Sequence, residues 1–229
     1  MKRRIKFLLV VLVLGFQAGE PVQAEGLDVE GDFNFVTDHI FRGVSRSGGE
    51  PAFQLTFDLV HEKGWYVGTF VSNFQDRLGH EIETELYAGY LFTKGAYDFN
   101  LVVSYNSFHG AGNTTGYVEF RGSIARDFGL LYLTGGFAVS PDNREFGGGS
   151  SVYVFTAADF PIPVPSLPPM SLGFHVGHEN FSGGFNKWDW SVGLFIDLAG
   201  LEWSIKYTDT NRNFKGAGGN VLGGIRGYF

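Results

Sequence analysis

The chain has 229 residues, a formal net charge of −7, no cysteine, 34 glycines and 17% aromatic residues. The negative charge argues against nucleic acid as a partner, and the missing thiols exclude disulfides and cysteine-ligated metals. A chain of this length suits one domain.

The first residues predict a cleaved secretory signal over 1–24, with residues 25–229 forming the exported domain. Lys2, Arg3, Arg4 and Lys6 precede an unbroken apolar run over 7–16, and Val22 and Ala24 stand at minus three and minus one of a cleavage site before Glu25. That run is about half of the ~20 residues a spanning helix needs, so it reads as a signal rather than an anchor.

The first strand is expected over 27–43, where side-chain character alternates with a period of two. Leu27, Val29, Gly31, Phe33, Phe35, Thr37, His39 and Phe41 share one face, and Asp28, Glu30, Asp32, Asn34, Val36, Asp38, Ile40 and Arg42 fall on the other. Strands of soluble sandwiches are usually shorter, whereas a membrane barrel needs roughly 9 to 11 residues to cross. Eleven further segments repeat the pattern after a polar loop over 44–51. Their apolar sets begin at Phe53, Trp65, Ile82, Tyr97, Gly116, Leu131, Val152, Met170, Trp188, Leu201 and Val221. No Asp, Glu, Lys or Arg falls on these faces, while charges are common on the opposite ones. Lipid explains that selection, because Arg or Lys on the lipid face costs about 2 to 4 kcal/mol at the midplane.

The connections alternate as well. Those after even-numbered segments are mostly tight turns, and those after odd ones are mostly longer and polar; the exception is 161–169, with five prolines that mark a stiff connection outside the ladder. Outward aromatics cluster at both strand ends: Trp65, Phe92, Tyr97, Phe160, Trp203 and Phe229 on one side, Phe41, Tyr105, Trp188 and Tyr207 on the other. The reading is all-β: a single antiparallel transmembrane β-barrel of about 12 strands in the bacterial outer membrane, its termini in the periplasm and its belt in contact with lipid.

At 37–47, TDHIFRGVSRS, followed by Pro51 and Ala52, the chain resembles the TorF family of bacterial porin-like proteins, also known as Gcw_chp. The blocks ETELYAGY at 83–90, WDWSVG at 188–193 and YTDT at 207–210 agree with it. The resemblance spans nearly all of the exported chain and implies a barrel with a transport role; it brings no catalytic residues. The terminal Tyr228 and Phe229 are similar to the C-terminal signal by which the barrel-assembly machinery recognises its clients.

Function then rests on the inward face. Arg42 is expected near the outer rim, either in a constriction that sorts solutes by charge or in an ion pair with Asp38 that braces the first loop. Deeper lumen candidates are Glu83, Glu85, Glu119 and Arg121. Acids outnumber bases on this face, which predicts a channel for passive diffusion of small polar solutes with a preference for cations. The alternatives are a structural or adhesive barrel with a closed lumen and partner-binding loops and, third, an outer-membrane acyl-chain enzyme. No metal or other cofactor is expected, since His175 and His178 point to opposite faces of one strand. Ser171, His175 and Glu179 share a face but stand roughly 13 Å apart per step, so they form no triad by themselves. The inward glycines Gly68, Gly89, Gly136, Gly173 and Gly193 are expected to let rings of neighbouring strands lie flat over them.

Overall fold

A computed structural model describes residues 26–76, 78–110, 113–143 and 149–229. The expected signal over 1–24 lies outside the described residues. The strands, in chain order, are β1 (Leu27–Val36), β2 (Ile40–Phe41), β3 (Val44–Ser45), β4 (Ala52–His61), β5 (Trp65–Asn73), β6 (Ile82–Lys94) and β7 (Tyr97–Gly110). They continue as β8 (Asn113–Asp127), β9 (Tyr132–Ser140), β10 (Ser151–Pro161), β11 (Met170–Phe181), β12 (Asn186–Leu198), β13 (Leu201–Thr210) and β14 (Asn220–Tyr228). β1 and β4 to β14 form one closed barrel, and every pairing in it is antiparallel.

The alternation sets the faces as the sequence implied. Leu86, Leu101, Val103, Phe120, Val154, Phe174, Trp190 and Ile205 are all exposed on the outside, where lipid replaces water. Glu83, Glu119, Glu179 and Asp189, on the opposite parity, are buried inside. Closure removes the open edges that an isolated sheet would present in a membrane. The seam pairs Asp32 with Tyr228 through to Val36 with Gly224, and Phe229 extends it by exchanging both backbone hydrogen bonds with Gly31 at 3.0 Å. The Phe229 ring covers Gly31, where a Cβ would come within 2.6 Å of it. Inside, Phe155 lies over Gly136 in the same way, and Phe195 spans both Gly173 and Gly193.

Short turns close one end. β12 and β13 are joined by Ala199 and Gly200 alone, with φ of 56° and 77°, and both ends of the described chain lie at this end. The opposite, long-loop end carries the departure from expectation. β1 leaves the wall at Val36, not at Gly43, and residues 37–51 fold into the barrel instead of continuing outward. The alternation persisted through Phe41 because these residues do form extended structure, as the small hairpin β2–β3. Its turn is Arg42-Gly43, with φ of 48° and 76°, the positive pair of a type I′ hairpin. Phe41 therefore faces the lumen, not the outer aromatic girdle.

Candidate constriction in the barrel lumen

Asp38 starts the inward fold. Its Oδ1 accepts hydrogen bonds from the Ser45 and Ser47 hydroxyls at 2.7 and 2.8 Å, and Ser47 Oγ in turn accepts from the His39 backbone at 2.9 Å. These bonds give the polar groups of a buried loop the partners that water would otherwise supply. The loop is tied to its neighbours by Ser45 N to Gly216 O at 2.7 Å and Gln75 N to Arg46 O at 2.7 Å. Asp38 thus organises the loop and is not the partner of Arg42, so the expected Asp38–Arg42 ion pair is absent.

Arg42 instead reaches across the lumen from the hairpin tip. Its Nη2 donates to both oxygens of Glu119 on β8 at 2.9 Å, and its Nη1 donates to Glu179 on β11 at 2.8 Å. Lys187 on β12 completes the group: its Nζ donates to the Arg42 carbonyl at 2.6 Å and pairs with Glu179 at 2.9 Å. Arg46 pairs with Glu83 on β6 and donates to Tyr117 on β8 at 3.2 Å. The Phe41 ring sits between the two guanidinium groups, 4.6 Å from that of Arg42 and 3.5 Å from that of Arg46. Arg42 also stands 4.2 Å over the Tyr153 ring.

Such burial is tolerated only because each charge meets an opposite one. Burial alone would push Arg42 and Arg46 down, but Glu119 with Glu179, and Glu83, offset it and hold both above the ordinary arginine range. His39 has no such compensation: burial, and then the nearby Arg46, lower it to about 3. It enters the lumen neutral, 3.8 Å from Glu83 and 3.3 Å from the Ser72 hydroxyl.

The hairpin divides the interior. Toward the short-turn end lies a cavity of about 460 Å3 bordered by Arg121, Asp159, His175 and Lys206, and beside it one of about 250 Å3 bordered by Glu83, Glu85 and Tyr87. Toward the long loops lies a third, of about 330 Å3. Phe41 borders all three.

Of the residues expected here, Glu83, Glu85, Glu119 and Arg121 all face the lumen. Arg121 pairs with Glu85 at 2.5 Å, apart from the hairpin cluster. Arg46, Lys187 and the ion-pairing role of Glu179 were missed. Arg46 lay in a stretch read as loop, and Lys187 fell just before the apparent start of its strand. A signal was available: three inward acids in mid-barrel demand cations. Ser171, His175 and Glu179 are not brought together, since His175 sits 2.7 Å from the Tyr153 hydroxyl and 3.2 Å from Asp189. Among the described residues, no group of three or more His, Asp or Glu is placed to hold a metal.

A family model described as "Bacterial protein of unknown function (Gcw_chp)" matches residues 21–221. No curated protein matches the chain. Among solved structures, the KdgM porin aligns with a TM-score of 0.59 at 12% identity over 87% of this chain and 99% of its own. KdgM in complex with disordered oligogalacturonate gives the same figures. The NanC porin aligns with a TM-score of 0.52 at 7% identity over 87% of this chain and 98% of its own. At these identities the likeness is one of fold, a closed antiparallel barrel; an apolar outside around a charged interior is the architecture of outer-membrane barrels.

Proposed function

The chain belongs to the Gcw_chp family of bacterial proteins of unknown function, and from that premise we propose that it is a porin-like channel for passive diffusion of small polar solutes. The observation that carries this reading is the hairpin of residues 37–51, a charged and polar constriction with a cavity on either side, in a barrel whose outside is apolar. In this reading the long loops face outward and the short turns, with the Phe229 assembly signal, face the periplasm. Within the lumen His175 is engaged by the Tyr153 hydroxyl at 2.7 Å and by Asp189 at 3.2 Å.

The proposed preference is for cations. Arg46 and Lys187 add to the lumen bases and Glu179 to the acids, so the acid excess is narrower than the strands alone implied but keeps its sign. Asp58, Asp159 and the mouth acids Asp28, Glu30, Asp197 and Glu202 supply it. Carboxylates confined by low-dielectric walls raise the local cation concentration. Reversal potentials across a planar bilayer in a KCl gradient test the reading: cation selectivity that shrinks in Glu85→Gln with Glu119→Gln supports it, and anion selectivity contradicts it. A second reading, a closed barrel with the hairpin as a permanent plug, is favoured by the burial of Arg42 and Arg46 under ion pairs. Complete absence of current from folded protein would select that one.

A further inference from the structure

The cavity at the long-loop end differs in kind from the rest of the lumen. Five phenylalanines border its roughly 330 Å3: Phe41, Phe74, Phe181, Phe185 and Phe214, drawn from the hairpin, the strand ends and three other connections. Their rings are set at angles, Phe181 to Phe185 at 5.7 Å and 50°, Phe185 to Phe214 at 6.1 Å and 62°. Phe214 is 42% exposed although it belongs to a loop beyond the lipid-facing strands. The membrane does not account for an apolar wall in that position, whereas a planar ring packed against these side chains would.

Two polar features define the ring's substituents. Lys215, next to Phe214 at the edge of the cavity, forms no ion pair among the described residues, whereas Lys187 is paired with Glu179 and the carboxylate of Asp76 is engaged by His80 at 2.6 Å. Asn143, 2% exposed, borders the same space, and its Oδ1 is a buried acceptor without a hydrogen-bond partner. A buried acceptor of this kind calls for a donor, and a lone rim cation for an anion. A cavity of about 150 Å3 already holds benzene, so this one has room for a ring and its substituents. A sugar fits the lining poorly, because most of its hydroxyls would be buried against phenylalanine without partners.

We propose that the long-loop mouth is a binding site for a small aromatic carboxylate that bears a hydroxyl group: the ring in the cavity against the wall of Phe181, Phe185 and Phe214, the carboxylate at Lys215 and the hydroxyl on Asn143 Oδ1. The site does not depend on conduction through the barrel. The probe is 4-hydroxybenzoate, titrated into the folded full-length protein in detergent micelles and followed by calorimetry and by saturation-transfer NMR. Saturable binding is expected, several-fold weaker for benzoate and about tenfold weaker for cyclohexanecarboxylate, whose puckered ring has no aromatic face or edge to set against the phenylalanines. Phe185→Ala with Phe214→Ala should weaken binding about tenfold. Lys215→Gln should weaken the carboxylate but not the neutral 4-hydroxybenzamide. Each variant is checked for the folded, fast-migrating gel band before heating. No saturable binding, equal binding of cyclohexanecarboxylate, or undiminished binding by the folded double variant overturns the proposal. A barrel that binds without conducting would defeat only the channel reading, and one that conducts without binding would defeat only this one.

Discussion

Arg42 and Glu119 meet in the middle of the barrel, with the guanidinium Nη2 2.9 Å from both carboxylate oxygens, although 77 residues separate them along the chain. One comes from a connection and the other from the wall of β8, so their pairing fixes where the in-folded hairpin stops. Removing one partner leaves the other buried and uncompensated, which costs about 3 to 5 kcal/mol. Glu119→Gln should therefore loosen residues 37–51 without opening the barrel. Hydrogen exchange in that segment should accelerate, while the unboiled gel band should still run fast; unchanged protection would contradict the role assigned to the pair.

Gly43 offers a backbone test of the same docking. Its φ of 76° strains any other residue, and an added Cβ would come within 2.9 Å of the Cβ atoms of Asp189 and Thr210. Gly43→Val should release the hairpin tip from β12 and β13 and raise single-channel conductance. Gly49, whose φ is also positive but around whose Cβ position the space is open, serves as the control: Gly49→Ala should change conductance little.

Acid should undock the loop. His39 titrates at about 3 when docked, held down by burial and then by Arg46, against about 6.5 when released. The released loop therefore binds a proton that the docked loop refuses between those values. Docking is at full strength above pH 6.5 and weakens as pH falls toward 3, by up to about 1.4 kcal/mol per unit. Protonation of the lumen carboxylates acts in the same direction, so the diagnostic is the difference between wild type and His39→Asn. Limited proteolysis of 37–51 should depend less steeply on pH between 4 and 6.5 in the variant.

The seam between β1 and β14 depends on Phe229 over Gly31. Gly31→Val should displace the ring and lower the temperature at which the folded gel band is lost, and Phe229→Ala should lower it by less, since the Cβ added at Gly31 also meets the Thr56 carbonyl oxygen at 2.8 Å. Both changes remove the ring's contact, so the double variant should be little worse than Gly31→Val. Full additivity would show that the ring does not act through Gly31.

The barrel itself was legible because lipid enforces one rule at every outward position, so Leu86 or Ile205 can be assigned a face from its parity alone. The constriction was legible only in part. Glu83, Glu85, Glu119 and Arg121 lie on strands and inherit their direction from the pleat. Asp38, Arg42 and Arg46 lie on a connection that stays extended after leaving the wall, and alternation cannot distinguish a strand in the sheet from a hairpin folded beneath it. Their partners are set by tertiary contacts, such as Arg42 with Glu179, that no local pattern encodes. The loop phenylalanines Phe185 and Phe214 were likewise invisible to a period-two reading, since neither sits in a ladder.

In the proposed channel, residues 37–51 are the narrowing of a water-filled lumen. The direct measurement is single-channel conductance in planar bilayers for the wild type and for a variant in which residues 38–50 are replaced by a short glycine-serine linker, both shown to be folded by the unboiled gel band. The expected result is a small, cation-selective conductance for the wild type and a several-fold larger, less selective one for the variant. Equal conductance in the two proteins, or no current through either, would contradict it.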